Sequence, residues 1–129
     1  MADQSAIEAL LARARVGVDR VEPERLAEEV ASGAILVDIR PLEQRRRDGD
    51  LPGSVVIDRN VLEWRLDPTS PHRLAIAANA DTRYVIVCNE GYSSSLAAAT
   101  LRELGLHHAT DLVGGFQALL ARQRDTTSA

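Results

Sequence analysis

Cys88 is the single cysteine of the chain, and its place in the sequence suggests a reactive thiol. It follows the apolar run 84–87 (YVIV), which is typical of a strand covered on both faces of a parallel sheet. From Ser94 onward, apolar residues recur at helical spacing until Gly105, and the serines there offer N-caps. The cysteine therefore lies where a buried strand passes into a helix, with the loop 89–93 between them.

This position favours an anionic sulfur. Ligands in open α/β sheets bind at the carboxyl ends of the strands, where a helix start supplies unpaired N–H groups and positive dipole. Lowering a cysteine pKa from about 8.5 to about 6.5 takes roughly 2.7 kcal/mol, most of which such a helix start can supply. Gly91 allows positive φ, so that successive loop N–H groups can converge on one point. We predict a nucleophilic thiolate in a backbone cradle; the alternative is that Cys88 is a small buried hydrophobe.

The rest of the sequence alternates β-rich runs with helix-like segments. The predicted strands are 18–21, 34–39, 55–58, 84–88 and 109–113. The predicted helices are 5–15, 23–33, 42–48, 60–66, 70–78, 94–104 and 116–122. This alternation, without repeats or a linker, predicts a three-layer α/β fold with a central five-stranded parallel sheet flanked by helices.

Several segments resemble the rhodanese-like family. The loop CNEGYS, which starts at Cys88, is similar to the active-site loop of rhodanese-type sulfurtransferases, and LVDIRP to their Asp-x-Arg segment. GDLPGSVVI resembles their His-Ile-Pro-Gly-Ala turn, with Asp50 in the histidine place, and DLVGGFQALL resembles their closing Gly-Gly segment, with Leu119 where tryptophan is common. These segments follow one another in the same order as in the family, and the resemblance extends from about Val18 to Leu120. It implies a rhodanese-like domain over 17–122, preceded by an accessory helix in 1–16 and followed by a frayed tail, 123–129.

The resemblance also implies a function. The family carries sulfane sulfur as a persulfide on its cysteine, so Cys88 is the expected catalytic residue and a thiol or cyanide the expected acceptor. The active-site loop would bind the substrate through Asn89, Glu90, Gly91, Tyr92, Ser93 and Ser94. Ser93 closes the loop where many relatives have arginine; its hydroxyl could donate to the terminal sulfur, or Ser93 or Ser94 could cap the helix. No metal or organic cofactor is expected.

Charged residues near the predicted site have more than one interpretation. Asp38 and Arg40 end a strand at the same sheet edge as Cys88, so they could form a structural ion pair or, through Arg40, tune the field of the site. Arg59 and Arg65 could attract an anionic donor or be solvated. Glu90 would repel a dianion such as thiosulfate, which favours a small-molecule or protein persulfide as the sulfur donor.

Composition limits the other functions. The chain has 129 residues, 45% hydrophobic and 26% charged, as expected of one globular domain. A net charge of −4 argues against a general nucleic-acid or membrane-surface binder. One cysteine without an internal partner, and no apolar run long enough for a signal or a membrane span, indicate a cytoplasmic protein. The sequence leaves open whether the N-terminal helix mediates a homodimer or packs on the sheet.

Two other function classes remain as alternatives. A cysteine in an anion-binding loop can also attack phosphorus or arsenic, as in phosphatases and arsenate reductases. Those sites need a larger loop and an arginine at its end to hold the oxyanion, where this chain has Ser93 and Ser94. The other class is a non-enzymatic binding or redox-sensing module, in which Cys88 is oxidised rather than sulfurated.

Overall fold

Residues 4–127 are described in the computed structural model of the chain. The helices are α1 (Ala6–Arg15), α2 (Leu26–Ala31), α3 (Leu42–Asp48), α4 (Leu62–Leu66), α5 (Ser93–Glu103) and α6 (Gly115–Thr127), with 3-10 turns at Pro23–Arg25 and Arg59–Val61. The strands are β1 (Ile35–Asp38), β2 (Val55–Val56), β3 (Tyr84–Val87) and β4 (Thr110–Asp111). All strand pairs are parallel, in the order β2-β1-β3-β4.

Side chains of the central strands alternate between two apolar clusters, one on each face of the sheet. One cluster joins Val37 and Ile86 to residues of α4 and α5 such as Leu66 and Leu101. The other joins Leu36, Val85 and Val87 to α2 and α6 through Leu26 and Phe116. Because a strand points successive side chains to opposite faces, burying both sets requires helices on both sides. The predicted three-layer α/β fold is thereby confirmed.

The prediction of a five-stranded sheet is wrong, because the described residues form four strands. Within the predicted strand 18–21 only Val21 makes a β-bridge, parallel to Leu112. The Arg20 N–H donates to the Val18 carbonyl at 3.1 Å, so the backbone turns instead of extending along β4.

The predicted helix 70–78 is also wrong, since this segment is a series of turns. Short polar side chains in this segment and directly after it accept hydrogen bonds from nearby backbone N–H groups: Ser70 Oγ from His72 at 3.0 Å, and Asn79 Oδ1 from Asp81 at 2.8 Å. Such local bonds compete with helix formation.

The first and last helices, α1 and α6, both pack against the domain. Ser5 caps α1 by accepting a hydrogen bond from the Glu8 N–H, and α1 packs against α5. The last helix, α6, continues to Thr127 instead of ending at Arg122. Of the predicted frayed tail 123–129, positions 128–129 lie outside the described residues. Among residues 4–127, no helix is both long and apolar enough to cross a membrane.

Candidate active site

Cys88 directly follows β3 at the carboxyl edge of the sheet, and the residue is 6% exposed. It opens onto a cavity of about 270 Å³ between the end of β1 and the loop that leads into α5. The cavity is lined by Ile39, Arg40, Pro41, Gln44, Cys88, Asn89, Glu90, Tyr92 and Ser93. The sulfur therefore lies at the carboxyl end of a central strand, where the sequence places it.

The loop bends around the sulfur at Gly91. The Gly91 N–H donates a hydrogen bond to Cys88 Sγ at 3.1 Å. Gly91 has φ +87°, and a Cβ at this position would lie 2.6 Å from the Gly114 nitrogen. Both the backbone angle and the contact with residue 114 require glycine. The amide that stabilises the sulfur is thus held in place by a turn that no larger residue can form.

Helix α6 fixes the first half of the same loop. The Phe116 N–H donates to the Cys88 carbonyl at 2.9 Å, and the Gln117 N–H donates to the Asn89 carbonyl at 3.0 Å. In a trans peptide the carbonyl and the following N–H point in opposite directions. The N–H groups of Asn89 and Glu90 therefore face away from α6. The start of α6 orients the loop peptides through their carbonyl groups.

A buried carboxylate lies behind the sulfur. Ser94 Oγ is 3.2 Å from Cys88 Sγ and donates to Asp111 Oδ2 at 2.7 Å, and Ser95 Oγ donates to the same oxygen at 2.8 Å. Arg20 binds both oxygens of Asp111, at 2.8 and 3.1 Å. A hydroxyl has one proton, so Ser94 either donates to Asp111 or turns that proton toward an ionised sulfur. When Ser94 turns, Asp111 keeps its bonds to Ser95 and Arg20.

The surroundings lower the pKa of the Cys88 thiol below its ordinary value. Burial, the largest single influence, raises the pKa; the hydrogen bonds of Ser94 and Ser93 and of the Ser94 and Gly91 backbone lower it by more in total. Since the pKa is depressed in the folded state, the stability gained from these bonds is present above the unfolded thiol pKa. It is lost as the pH falls through the folded-state pKa.

We expect Ser94→Ala to raise the pH midpoint of Cys88 alkylation by about half to one pH unit, because the thiolate loses a hydroxyl donor. The measurement is the rate of iodoacetamide labelling as a function of pH. Ser54→Ala, which removes a hydroxyl bonded to the Leu51 carbonyl at 2.7 Å, is the control and should leave the midpoint unchanged. An unchanged midpoint in Ser94→Ala would show that the hydroxyl does not stabilise the thiolate.

Asp38 and Arg40 form the predicted ion pair. Both side chains are fully buried, and Arg40 binds the two carboxylate oxygens at 3.1 and 2.9 Å. Arg40 also donates to the Gly49 carbonyl at 2.9 Å and lies 3.7 Å from the centre of the Phe116 ring. These contacts join β1, α6 and the turn at residue 49 beside the cavity.

Of the other charged candidates, only Glu90 lines the Cys88 cavity. Arg59 pairs with Glu63 at 2.9 Å and lines a separate surface cavity of about 820 Å³, while Arg65 donates to the His72 carbonyl at 3.2 Å. Neither arginine lines the Cys88 cavity. Glu90 lines that cavity, and its side chain is exposed.

Neither serine caps α5, so the capping alternative for Ser93 and Ser94 is wrong. The N-cap is Tyr92, whose side chain makes no capping hydrogen bond. The hydroxyl of Ser94 is instead used by Asp111 and the sulfur, while Ser93 is exposed at the cavity.

Sequence reasoning missed four residues behind the loop: Arg15, Arg20, Ser95 and Asp111. Only Asp111 carried a signal, because an acidic residue inside an apolar strand pattern needs a buried partner. The partners come from distant positions that no spacing rule connects. Among residues 4–127, no group of three or more His, Cys, Asp or Glu side chains could hold a metal ion.

Comparison with known proteins agrees with this geometry. Residues 22–122 match the rhodanese-like domain family. The chain belongs to the rhodanese family. A relative is the thiosulfate sulfurtransferase GlpE of Ectopseudomonas mendocina (strain ymp), 32% identical over 98 residues, which are 76% of this chain and 81% of that protein. These matches support a rhodanese-type sulfurtransferase function.

Two solved structures extend the comparison. The human single-domain sulfurtransferase TSTD1 superposes with a TM-score of 0.67 at 25% identity, over 81% of this chain and 97% of that chain. A protein of unknown function from Rhodopseudomonas palustris CGA009, described as a possible tyrosine phosphatase, superposes with a TM-score of 0.82 at 32% identity, over 95% of each chain. The rhodanese-like fold is therefore shared with both.

Proposed function

We propose that the chain transfers sulfane sulfur through a persulfide on Cys88. The thiolate attacks the outer sulfur of a donor persulfide, the S–S bond of the donor breaks, and the donor leaves as a thiolate. A thiol or cyanide then attacks the outer sulfur of the Cys88 persulfide and regenerates the Cys88 thiolate. The observation that carries the proposal is the Gly91 N–H donating to Sγ at 3.1 Å in a loop that only glycine can form.

The loop 89–94 would stabilise each anionic sulfur species. Its peptides are fixed before the reaction by α6 and by the glycine turn, so that little reorganisation is needed when charge develops on sulfur. Ser93 is exposed at the cavity, where its hydroxyl can donate to the terminal sulfur of the persulfide. Asp38 and Arg40 would support the site by holding its wall rigid.

We infer that the preferred donor is a persulfide rather than thiosulfate. Arg40 is the only cation among the described residues that line the cavity, and Asp38 neutralises it through two hydrogen bonds. Glu90 adds negative charge at the same cavity. A dianion would meet net repulsion here, whereas a donor with one negative charge would meet less. GlpE relatives are named thiosulfate sulfurtransferases, so the donor is a point on which this chain would differ from them.

Phosphatase chemistry fits the site less well. Phosphate transfer at a cysteine needs a guanidinium that is free to bind the oxyanion bidentately. The loop ends in Ser93 and Ser94, and Nε and Nη2 of Arg40 are already bonded to Asp38, so that only Nη1 lacks a hydrogen-bond partner among the described residues. A redox-sensing module would use the same lowered thiol pKa. The two functions are therefore distinguished by the product that forms on Cys88, which is a persulfide in sulfur transfer and an oxidised sulfur in sensing.

The single cysteine suits a reducing compartment, and we place the protein in the cytoplasm.

The test is mass spectrometry of the intact chain after exposure to glutathione persulfide, to thiosulfate or to hydrogen peroxide. A mass gain of one sulfur from the persulfide, removed by cyanide, is the expected result, with much slower loading from thiosulfate. Oxygen adducts alone would identify a sensor. In a separate assay, hydrolysis of p-nitrophenyl phosphate by a chain that takes up no sulfur would identify a phosphatase. Efficient loading from micromolar thiosulfate would overturn the inference about the donor.

A further inference from the structure

Two arginines that precede the family-matched region reach the underside of the cysteine loop. The match to the rhodanese-like family begins at residue 22, whereas Arg15 ends α1 and Arg20 follows it. Arg15 donates to the Gly91 carbonyl at 2.8 Å and to Ser95 Oγ at 2.9 Å. Arg20 donates to the same carbonyl at 3.1 Å while it binds Asp111.

The helix that carries Arg15 is itself anchored to the domain. Leu11 is buried where α1 packs against α5. Arg102 of α5 donates to the Ala14 carbonyl at 2.6 Å and to the Ala109 carbonyl at 3.0 Å, which ties the last turn of α1 to the segment before β4. The Arg15 guanidinium also lies 5.9 Å from the centre of the Tyr92 ring. Arg15 is therefore held against the loop from several sides.

The two guanidinium groups fix the Gly91–Tyr92 peptide, which directly follows the peptide whose N–H binds the sulfur. Gly91 donates its N–H to Cys88 Sγ, and its carbonyl accepts from both arginines. Because the peptide is trans, the Tyr92 N–H faces away from the arginines. The arginines thus orient a peptide in the second half of the loop through its carbonyl group, as the start of α6 orients the peptides of the first half.

The arginines also set the charge behind the loop. The guanidinium groups of Arg15 and Arg20 and the carboxylate of Asp111 leave one net positive charge, to which Arg102 adds, because its guanidinium interacts electrostatically with Asp111. An anionic sulfur on Cys88 would offset this positive charge. Of the other charged groups near the loop, Asp38 and Arg40 offset each other and Glu90 faces solvent. Asp48, which Gln117 links to Asn89, pairs with Arg47.

We propose that Arg15 and Arg20 are positioning residues of the sulfur-transfer site, so that the segment before the matched domain is part of the active site. Acting through Gly91, Ser95 and Asp111, they hold the loop in the conformation that binds an anionic sulfur. This rests on the proposed function only in that Cys88 must react as a thiolate.

The test uses the full chain with Arg15→Met and a matched control, Arg13→Met, which removes the same charge from an exposed position on the same helix. The rate of iodoacetamide labelling against pH reports on Cys88 alone, since the chain has no other cysteine. We expect Arg15→Met to move the midpoint up by about one pH unit, and Arg13→Met to leave it at the wild-type value. Arg15→Lys keeps the charge and a hydrogen-bond donor, so its midpoint should lie close to the wild-type value.

Equal midpoints in folded Arg15→Met and Arg13→Met would overturn the proposal. If Arg15→Met does not fold, Arg15→Gln, which keeps one donor without the charge, takes its place in the same comparison. Labelling needs no sulfur transfer, so the two proposals fail separately. A wild-type chain that takes up no sulfur would refute the proposed function, while an Arg15-dependent midpoint would still establish the positioning role.

Discussion

Replacing Cys88 with serine is expected to lower sulfur transfer by at least about a thousandfold, because a serine hydroxyl is not ionised near neutral pH and cannot form the S–S bond of a persulfide. The substitution keeps the size of the side chain and leaves Ser94 and the Gly91 N–H with an oxygen as partner. The free energy of unfolding should therefore change by less than about 1.5 kcal/mol. The measurements are thiocyanate formation from cyanide and a persulfide donor, together with urea unfolding.

The control for Cys88→Ser is Ser54→Ala, a small change away from the cavity, which should keep wild-type turnover. Sulfur loading of Cys88→Ser in the mass spectrometer would show that sulfur is carried elsewhere. The chain has no second cysteine, so such a result would remove the persulfide mechanism altogether.

The second large effect is expected for Gly91→Ala. An alanine at φ +87° is strained, and its Cβ would lie 2.6 Å from the Gly114 nitrogen, so the loop must move away from the Gly-Gly segment. We expect a loss of about 2–4 kcal/mol in the free energy of unfolding and about a hundredfold loss of activity, since the Gly91 N–H leaves the sulfur. Urea unfolding and persulfide-dependent turnover measure the two effects.

Gly105→Ala separates backbone strain from displacement of the loop. Gly105 has a similar φ of +99°, but a Cβ there meets no atom within 4 Å. This variant should lose about 1–2 kcal/mol of stability and keep its activity. If both variants lost activity equally after correction for the folded fraction, the contact with Gly114 would not matter for catalysis.

The sequence was sufficient to predict the layers of the fold and the place of the cysteine. Apolar runs without polar alternation, as at 84–87, need cover on both faces, and their order along the chain defines a parallel sheet. Cys88 and Gly91 were identifiable because strand end, loop and helix start are adjacent in sequence. These inferences rely on residues that are close in sequence, and such residues remain close in the folded chain.

The groups behind the sulfur could not be predicted because their contacts are non-local. Ser94 and Asp111 are separated by 17 positions, and Arg15 and Gly91 by 76. The serines near 94 look like helix caps in sequence, and only a buried carboxylate opposite them explains their different role. The predicted strand 18–21 is absent for a related reason. The side chain of Arg20 binds the Gly91 carbonyl of the loop, and its backbone N–H bonds the Val18 carbonyl, which turns the chain.

The dimensions of the cavity limit which molecules can deliver sulfur. About 270 Å³ beside a residue that is 6% exposed accommodates a slender group but not the body of a second protein. A protein donor would therefore have to present its loaded cysteine on a projecting segment, whereas a small persulfide such as that of glutathione could enter with the rest of the molecule in solvent.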